Sequence, residues 1–439
     1  MLSAETLVKL AKQEITQLTE EGCDTTVLEE ELEALAGARE QHLRERLTDF
    51  FEIARRLRPD PHFPYREPSD LDGIRETRPD AERWTGDVDE GWLHDRLTGA
   101  WLGRCIGCMI GKPVEGKGRD EIEAILRTTK SYPLDGYFTA VEALPDGLAY
   151  KPGSESCLIP NIDRAVRDDD TDYTVLGLIL MEQHGRGLSS EHVVMEWLRR
   201  LPFMRTYTAE RAAMRNFVNE LAPPESARWM NPYREWIGAQ IRPDGIAYCV
   251  PGQPTLAAKL CHRDARISHT KNGIYGEMFF GALISAALCA GDLEACILRA
   301  LAEIPRDSRL AEAVNRCIRW CADDTSWEQT WKRIIQHYGH YHPVHTINNA
   351  LLCIMGLLHG GGDMRRSMTI AVMGGLDTDC NGATVGSVMG ALLGAEGVPD
   401  DLAAPLNNTL ETGLSGIARL QITHLIDRSV AAGKDVPAG

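Results

Sequence analysis

The stretch RDDDTDYTVLGL, residues 167–178, sets three consecutive aspartates and a fourth two residues later against the apolar run Val175, Leu176, Leu178, Ile179 and Leu180. Carboxyls this close repel one another and raise each other's pKa. A helix N-terminus welcomes negative charge through its dipole, so the run can be a solvated acidic cap. Alternatively, a cation completes it. Consecutive helical residues point about 100° apart, so Asp168, Asp169 and Asp170 converge only if the helix begins later, near Thr171.

A second stretch, MGGLDTDCNGATVGSVMGALLGA (373–395), repeats that logic: Asp377 and Asp379 flank Thr378 at the start of a small-residue helix with glycines at 382, 386, 390 and 394. Carboxylates, hydroxyls and water are the ligands that Mg²⁺, Mn²⁺ or Ca²⁺ require. Thiolate-and-imidazole zinc coordination is not suggested. Two such clusters in one chain favour a site for two cations over two acidic caps.

Other residues stand close to this chemistry in the sequence. GAWLGRCIGCMIGKPVEG (99–116) repeats glycine every fourth residue, which puts the glycines on one helical face and permits close approach of another backbone. Pro113 then breaks the helix and leaves Glu115 on a turn, where a plain surface carboxylate is the simplest reading. His269 sits on a turn before a helix, and His345, Asn348 and Asn349 open another. A lone histidine is more often a surface or satisfied core residue than a functional one.

The elements that must position these groups are mostly helical. Apolar spacing predicts helices over 172–185, 192–201, 277–290, 293–303, 309–321, 345–358, 364–374 and 381–395. YPLDGYF (132–138) and GIAYCV (245–250) are the only short strand candidates. Residues 1–57 read as three helices, followed by RPDPHFPYREP (58–68) as an extended connector. The expected division is therefore 1–92, an N-terminal helical extension for packing or oligomerisation, and 93–439, an all-α domain.

Composition narrows the partners. A formal charge of −17 argues against non-specific nucleic-acid binding, which needs a basic surface to displace counterions, and disfavours anionic membranes. No signal peptide and no apolar run of about 18 residues is evident, so a cytoplasmic protein is expected. The twelve cysteines are then mostly buried thiols. Cys105 and Cys108 are expected to be a structural pair, and Cys317 and Cys321 lie one helical turn apart.

The order of motifs (a Gly-rich helix ending in Glu, then DDT, then SH-x3-G-x2-G, then DTD before a small-residue helix) resembles the ADP-ribosylglycohydrolase family over about residues 93–400. The resemblance implies an all-α orthogonal bundle with two divalent cations, Mg²⁺ foremost, in a central cleft. It implies Asp168, Asp169, Asp170, Asp377 and Asp379 as metal ligands, Glu115 in catalysis, and His269, with Asn348, near the ribose. The substrate implied is a small ribosyl molecule or an ADP-ribosylated protein. Three positions depart from the family pattern: Asp168 replaces Ser or Thr, Leu376 replaces Gly, and Cys380 replaces Thr or Ser. A thiol is a poor ligand for a hard cation.

Other readings compete: an N-glycosidase for a free nucleoside or nucleotide, a non-catalytic ADP-ribose binder, and an all-α prenyl-diphosphate enzyme holding magnesium through Asp168 and Asp172. The 6% aromatic content and the DTD cluster argue against the last. On the ribosyl reading Asp172 has no task and is expected on the solvated side of the helix start.

Overall fold

The structure, a computed structural model, describes residues 3–35 and 40–434. Its helices, in chain order, begin with α1 (Ala4–Glu20), α2 (Thr26–Ala34), α3 (Glu40–Ala54) and α4 (Leu71–Thr77). There follow α5 (Glu90–Gly111), α6 (Arg119–Thr128), α7 (Asp169–His184), α8 (Ser190–Arg200), α9 (Thr208–Val218), α10 (Asp244–Ala247), α11 (Pro254–Ala265) and α12 (Lys271–Ala287). The remainder are α13 (Leu293–Leu301), α14 (Arg309–Asp323), α15 (Trp327–Tyr338), α16 (Thr346–His359), α17 (Met364–Met373), α18 (Thr378–Leu393), α19 (Asp400–Ala403) and α20 (Ile422–Lys434). One antiparallel hairpin, β1 (Thr409–Leu414) and β2 (Ile417–Gln421), precedes α20. The fold is all-α, as the apolar periodicity predicts, and none of the described helices is long and apolar enough to cross a membrane.

The centre is the pair α5 and α18. Their glycines meet face to face: a Cβ at Gly107 would lie 1.9 Å from the Gly382 carbonyl oxygen, and one at Gly386 would lie 2.0 Å from the Gly103 oxygen. Gly99 and Gly390 oppose one another in the same way. Backbones this close leave no room for any side chain, so two whole helices behave as one rod. Cys105 and Cys108 are buried in this rod as free thiols.

The N-terminal helices carry their own apolar cluster, with Leu7, Leu10, Leu28, Leu47, Phe50 and Phe51 buried and Trp229, Met230 and Tyr233 packed against it. A second face of α1 is polar and buried. Arg234 donates to both oxygens of Glu14 at 2.8 and 3.0 Å and to Glu21 at 2.8 Å. Gln17 donates to Glu235 at 2.7 Å, and Arg309 bridges Glu235 to Glu67. The extension is therefore held by charge as well as by apolar burial.

Both expected strands fail, and a hairpin forms elsewhere. Residues 132–138 form no strand; they run irregularly to a single bridge between Thr139 and Ile159. Residues 245–250 are the turn of α10 and its exit, because Gly245 must sit against the α7 backbone, 2.0 Å from the Thr174 oxygen if it bore a Cβ. The strands that do form, β1 and β2, lie at 409–421, where alternation is weak and the burial pattern irregular.

Candidate metal and active site

Three chain segments meet at one end of the glycine rod. The α5 helix ends at Gly111, and a short turn through Pro113 presents Glu115. Gly116 N donates to the Leu376 oxygen at 2.9 Å, and Leu376 N donates to the Lys117 oxygen at 3.1 Å. The Glu115 turn is thereby stitched to the turn carrying Asp377 and Asp379. The Thr378 hydroxyl donates to the Gly111 oxygen at 2.7 Å, which closes the joint. Leu376 has φ +67°, in the left-handed region, so it bears a backbone strain that a glycine would not.

The acidic run does not begin its helix at Thr171. The α7 helix starts two residues earlier, at Asp169, with Asp168 as N-cap accepting from Asp170 N at 3.1 Å. The helical step fans the three side chains apart, so they converge only in part. Two groups of ligand atoms gather within 4.8 Å of one another: Asp170, Asp379 and Cys380, and Glu115, Asp377 and Asp379. Asp379 belongs to both. Asp168 and Asp169 belong to neither. Asp168 is ion-paired with Lys112, whose ammonium also donates to the Arg167 oxygen at 3.1 Å.

The electrostatics favour a cation here. Burial, then the charge of Asp379, pushes Asp377 well up; burial, then Asp168, pushes Asp379 up. Burial, only partly offset by Arg104, raises Asp170, and Asp169 is pushed up to about 8 by burial and the charge of Asp168. Burial would raise Asp168 too, but Lys112 outweighs it and holds the carboxyl down at about 2. Asp379 Oδ1 is buried with no hydrogen-bond partner among the described residues. Such an oxygen is costly unless something positive meets it. The donor set is almost entirely oxygen, and the one thiol is otherwise engaged, with Cys380 Sγ 3.2 Å from Asp170 Oδ2 as its donor. These residues fit a hard divalent cation.

Several residues at the site are not evident from the motifs. Arg104, buried inside the glycine helix, donates to Asp170 at 3.0 Å. Lys112 and Lys151 pair with Asp168 and Glu115 respectively. Lys112 follows Gly111 directly in the sequence, so its place at the helix end was a readable signal; Lys151 comes from a loop and gave none. Asn349, rather than Asn348, touches the second acidic turn: its Oδ1 accepts from Asp377 N at 3.2 Å and from Asn381 Nδ2 at 2.9 Å. Asn348 turns the other way, donating to the His342 oxygen at 3.0 Å.

Asp172 corrects the expectation of a solvated side chain. It is fully buried, accepts from Arg167 at 2.8 Å, and accepts from Gly413 N at 2.7 Å. Its task is to tie α7 to β1. His269 is buried with Nδ1 2.8 Å from the Ser268 hydroxyl. It lines a cavity whose walls include none of the carboxylates named above as candidate ligands.

Helix starts that deliver carboxylates to one point of an all-α body define a candidate hydrolase centre. The ADP-ribosylglycohydrolase family model matches residues 90–436, and the chain belongs to that family. Its members are ADP-ribosylglycohydrolase-type hydrolases known for a dimetal site, and the carboxylate groups described here are of the kind that binds metal. A solved structure described as an ADP-ribosylglycohydrolase-related protein complex shares the fold, with a TM-score of 0.53 and 19% identity, over 79% of this chain and 100% of that one. No curated protein matches the sequence.

Proposed function

We propose that the chain is a divalent-metal-dependent glycosidase that hydrolyses the C1 bond of an ADP-ribosyl or related ribosyl substrate. The observation that carries this reading is the meeting of Glu115, Asp377 and Asp379 within 4.8 Å, with Asp379 shared by the Asp170 group. Asp170, Asp377 and Asp379 would hold two cations, with Asp168 and Asp169 as further ligands; Mg²⁺ suits the oxygen donors best, and Mn²⁺ or Ca²⁺ also fit. When bound, the cations supply charge that orients ribose hydroxyls and acidifies water.

Glu115 is the proton carrier. Its side chain is 29% exposed, so water and substrate reach it, and Lys151 fixes its direction. The carboxylate accepts a proton from the attacking water as the new C1–O bond forms and the glycosidic bond breaks, then returns that proton to the leaving group. The ring passes through an oxocarbenium-like transition state. Asn349 keeps the Asp377 turn in register. His269 takes no part in this scheme.

The test is product analysis by mass spectrometry with an ADP-ribosylated peptide and, separately, with free nucleosides, with Mg²⁺ or Mn²⁺ and with chelator. Release of ADP-ribose that stops on chelation is expected. Hydrolysis of nucleosides alone would move the substrate to small N-glycosides. No cleavage of either would sink the enzymatic reading in favour of a binding protein.

A further inference from the structure

Between the N-terminal helices and the family domain lies a cavity of about 380 Å³. That volume is within the range of small-molecule sites, roughly 300–1,000 Å³. Part of its wall comes from residues before position 90, outside the family match, and it shares no residue with the carboxylate site.

The charges on its wall are unusual for a chain of formal charge −17. The acids are already engaged: Glu14 and Glu21 with Arg234, Glu21 also with Lys271, and Asp70 as the N-cap of α4. Three guanidinium groups are not. Arg58 donates only to backbone oxygens of its own turn, and Arg228 only to the Arg55 oxygen at 3.5 Å. Neither they nor Arg266, on the same wall, forms an ion pair among the described residues. Uncommitted arginines converging on one cavity bind oxyanions such as phosphate through the paired N–H groups of the planar guanidinium.

A second, independent feature points the same way. Thr270 lines the cavity as N-cap of α12, yet its hydroxyl makes no cap bond. The side chain is 94% buried by its 6% relative exposure, and Oγ1 has no hydrogen-bond partner among the described residues. The backbone of this helix start is spent elsewhere: Lys271 N donates to Ser69 Oγ at 3.0 Å and Asn272 N to Glu235 at 2.9 Å. An anion here would therefore be held by arginine and by the Thr270 hydroxyl. The same wall carries Trp229 and Phe51, edge to face with ring centroids 6.5 Å apart. They offer an aromatic surface to a ring.

We infer that this seam is a second small-molecule site, specific for a phosphate monoester bearing a planar ring, of nucleoside-monophosphate size. The phosphate is held by Arg58, Arg228, Arg266 and Thr270, and the ring lies against Trp229. Because its ligand would touch both the extension and the domain, the site links occupancy to the docking of α1 and α3.

Isothermal titration of the full chain with AMP, and with inorganic phosphate, tests this. AMP binding is expected, weakened at least about tenfold in the double variant Arg58→Gln/Arg228→Gln and severalfold in Thr270→Val, and unchanged in Asp379→Asn. Phosphate is expected to bind more weakly than AMP. Arg58 and Arg228 are exposed, so their glutamine variants keep the fold, which circular dichroism checks. No heat with AMP, equal affinity in the double variant, or loss of binding in Asp379→Asn would each overturn the site; equal affinity for AMP and phosphate would overturn recognition of the ring.

Discussion

At the scale of single residues, the proposed chemistry rests on a few side chains whose surroundings can be varied one at a time. Glu115→Gln retains the shape of the turn but cannot take a proton; kcat is expected to fall by about 10²–10⁴, measured as released ADP-ribose under saturating Mg²⁺. Asn349 and Asn348 give a sharper comparison. Asn349→Ala leaves Asp377 N and Asn381 without their acceptor, so weaker Mn²⁺ binding and a stability loss of about 1–3 kcal/mol are expected. Asn348→Ala removes the bonds to the His342 oxygen and from Asn349, but Asn349 Nδ2 keeps the Pro343 and His345 oxygens at 2.8 and 2.9 Å, so the acidic turn stays held and calorimetry should show Mn²⁺ affinity near that of the parent. Similar Mn²⁺ affinities in the two variants would rule out the positioning role of Asn349. The sequence showed the acidic residues as candidates because two carboxylate clusters precede apolar helices, whereas Glu115 read as a surface carboxylate until the order of motifs gave it a role. It did not distinguish Asn349 from its neighbour: adjacent residues on a helix start point different ways, and the start of α16 had to be placed to within one residue.

At the scale of elements, the site is only as well placed as the α5–α18 joint. Gly107→Ala puts a Cβ 1.9 Å from the Gly382 oxygen, and backbone cannot yield as a side chain can. A loss of about 3 kcal/mol or more is expected, together with lower metal affinity, since the rods part at the end that carries Asp379. Thermal melts with and without Mn²⁺ read both effects. The fourfold glycine spacing was readable as a face for close packing, and each of the two helices bears it, yet nothing in either stretch names the other as partner. The failed strand at 245–250 has the opposite lesson. Its residues alternate like a strand, but tertiary contact of Gly245 with α7 decides its shape. Asp172 was misplaced for a related reason: its partner, Gly413, comes from a hairpin the apolar pattern did not reveal.

At the scale of the whole molecule, the N-terminal helices are joined to the rest by buried charge. Arg234→Met would strand Glu14 in the interface and leave Glu21 to pair with Lys271, and a loss of about 3–5 kcal/mol is expected in denaturant titration. The same network sets a pH dependence. Burial, then the charge of Glu235, pushes Glu20 up to about 8. The folded state thus holds this proton more tightly than the unfolded chain, so the contribution is complete below pH ~4 and is lost as pH rises through about 8. Glu20→Gln keeps a neutral group there; it should melt with the parent at acid pH and be more stable by about 1–3 kcal/mol above pH ~8. A constant difference across that range would mean that Glu20 titrates normally. One consequence of the glycine rod concerns synthesis. α5 begins at residue 90 and α18 ends at residue 393, so the two helices that make the joint leave the ribosome far apart in time. A nascent chain, or one cut short before α18, carries Glu115 and the DDD turn but has no Asp379 to share between them. On the proposed reading, hydrolytic competence is conferred late and all at once, and a chain truncated before α18 is expected to be inert.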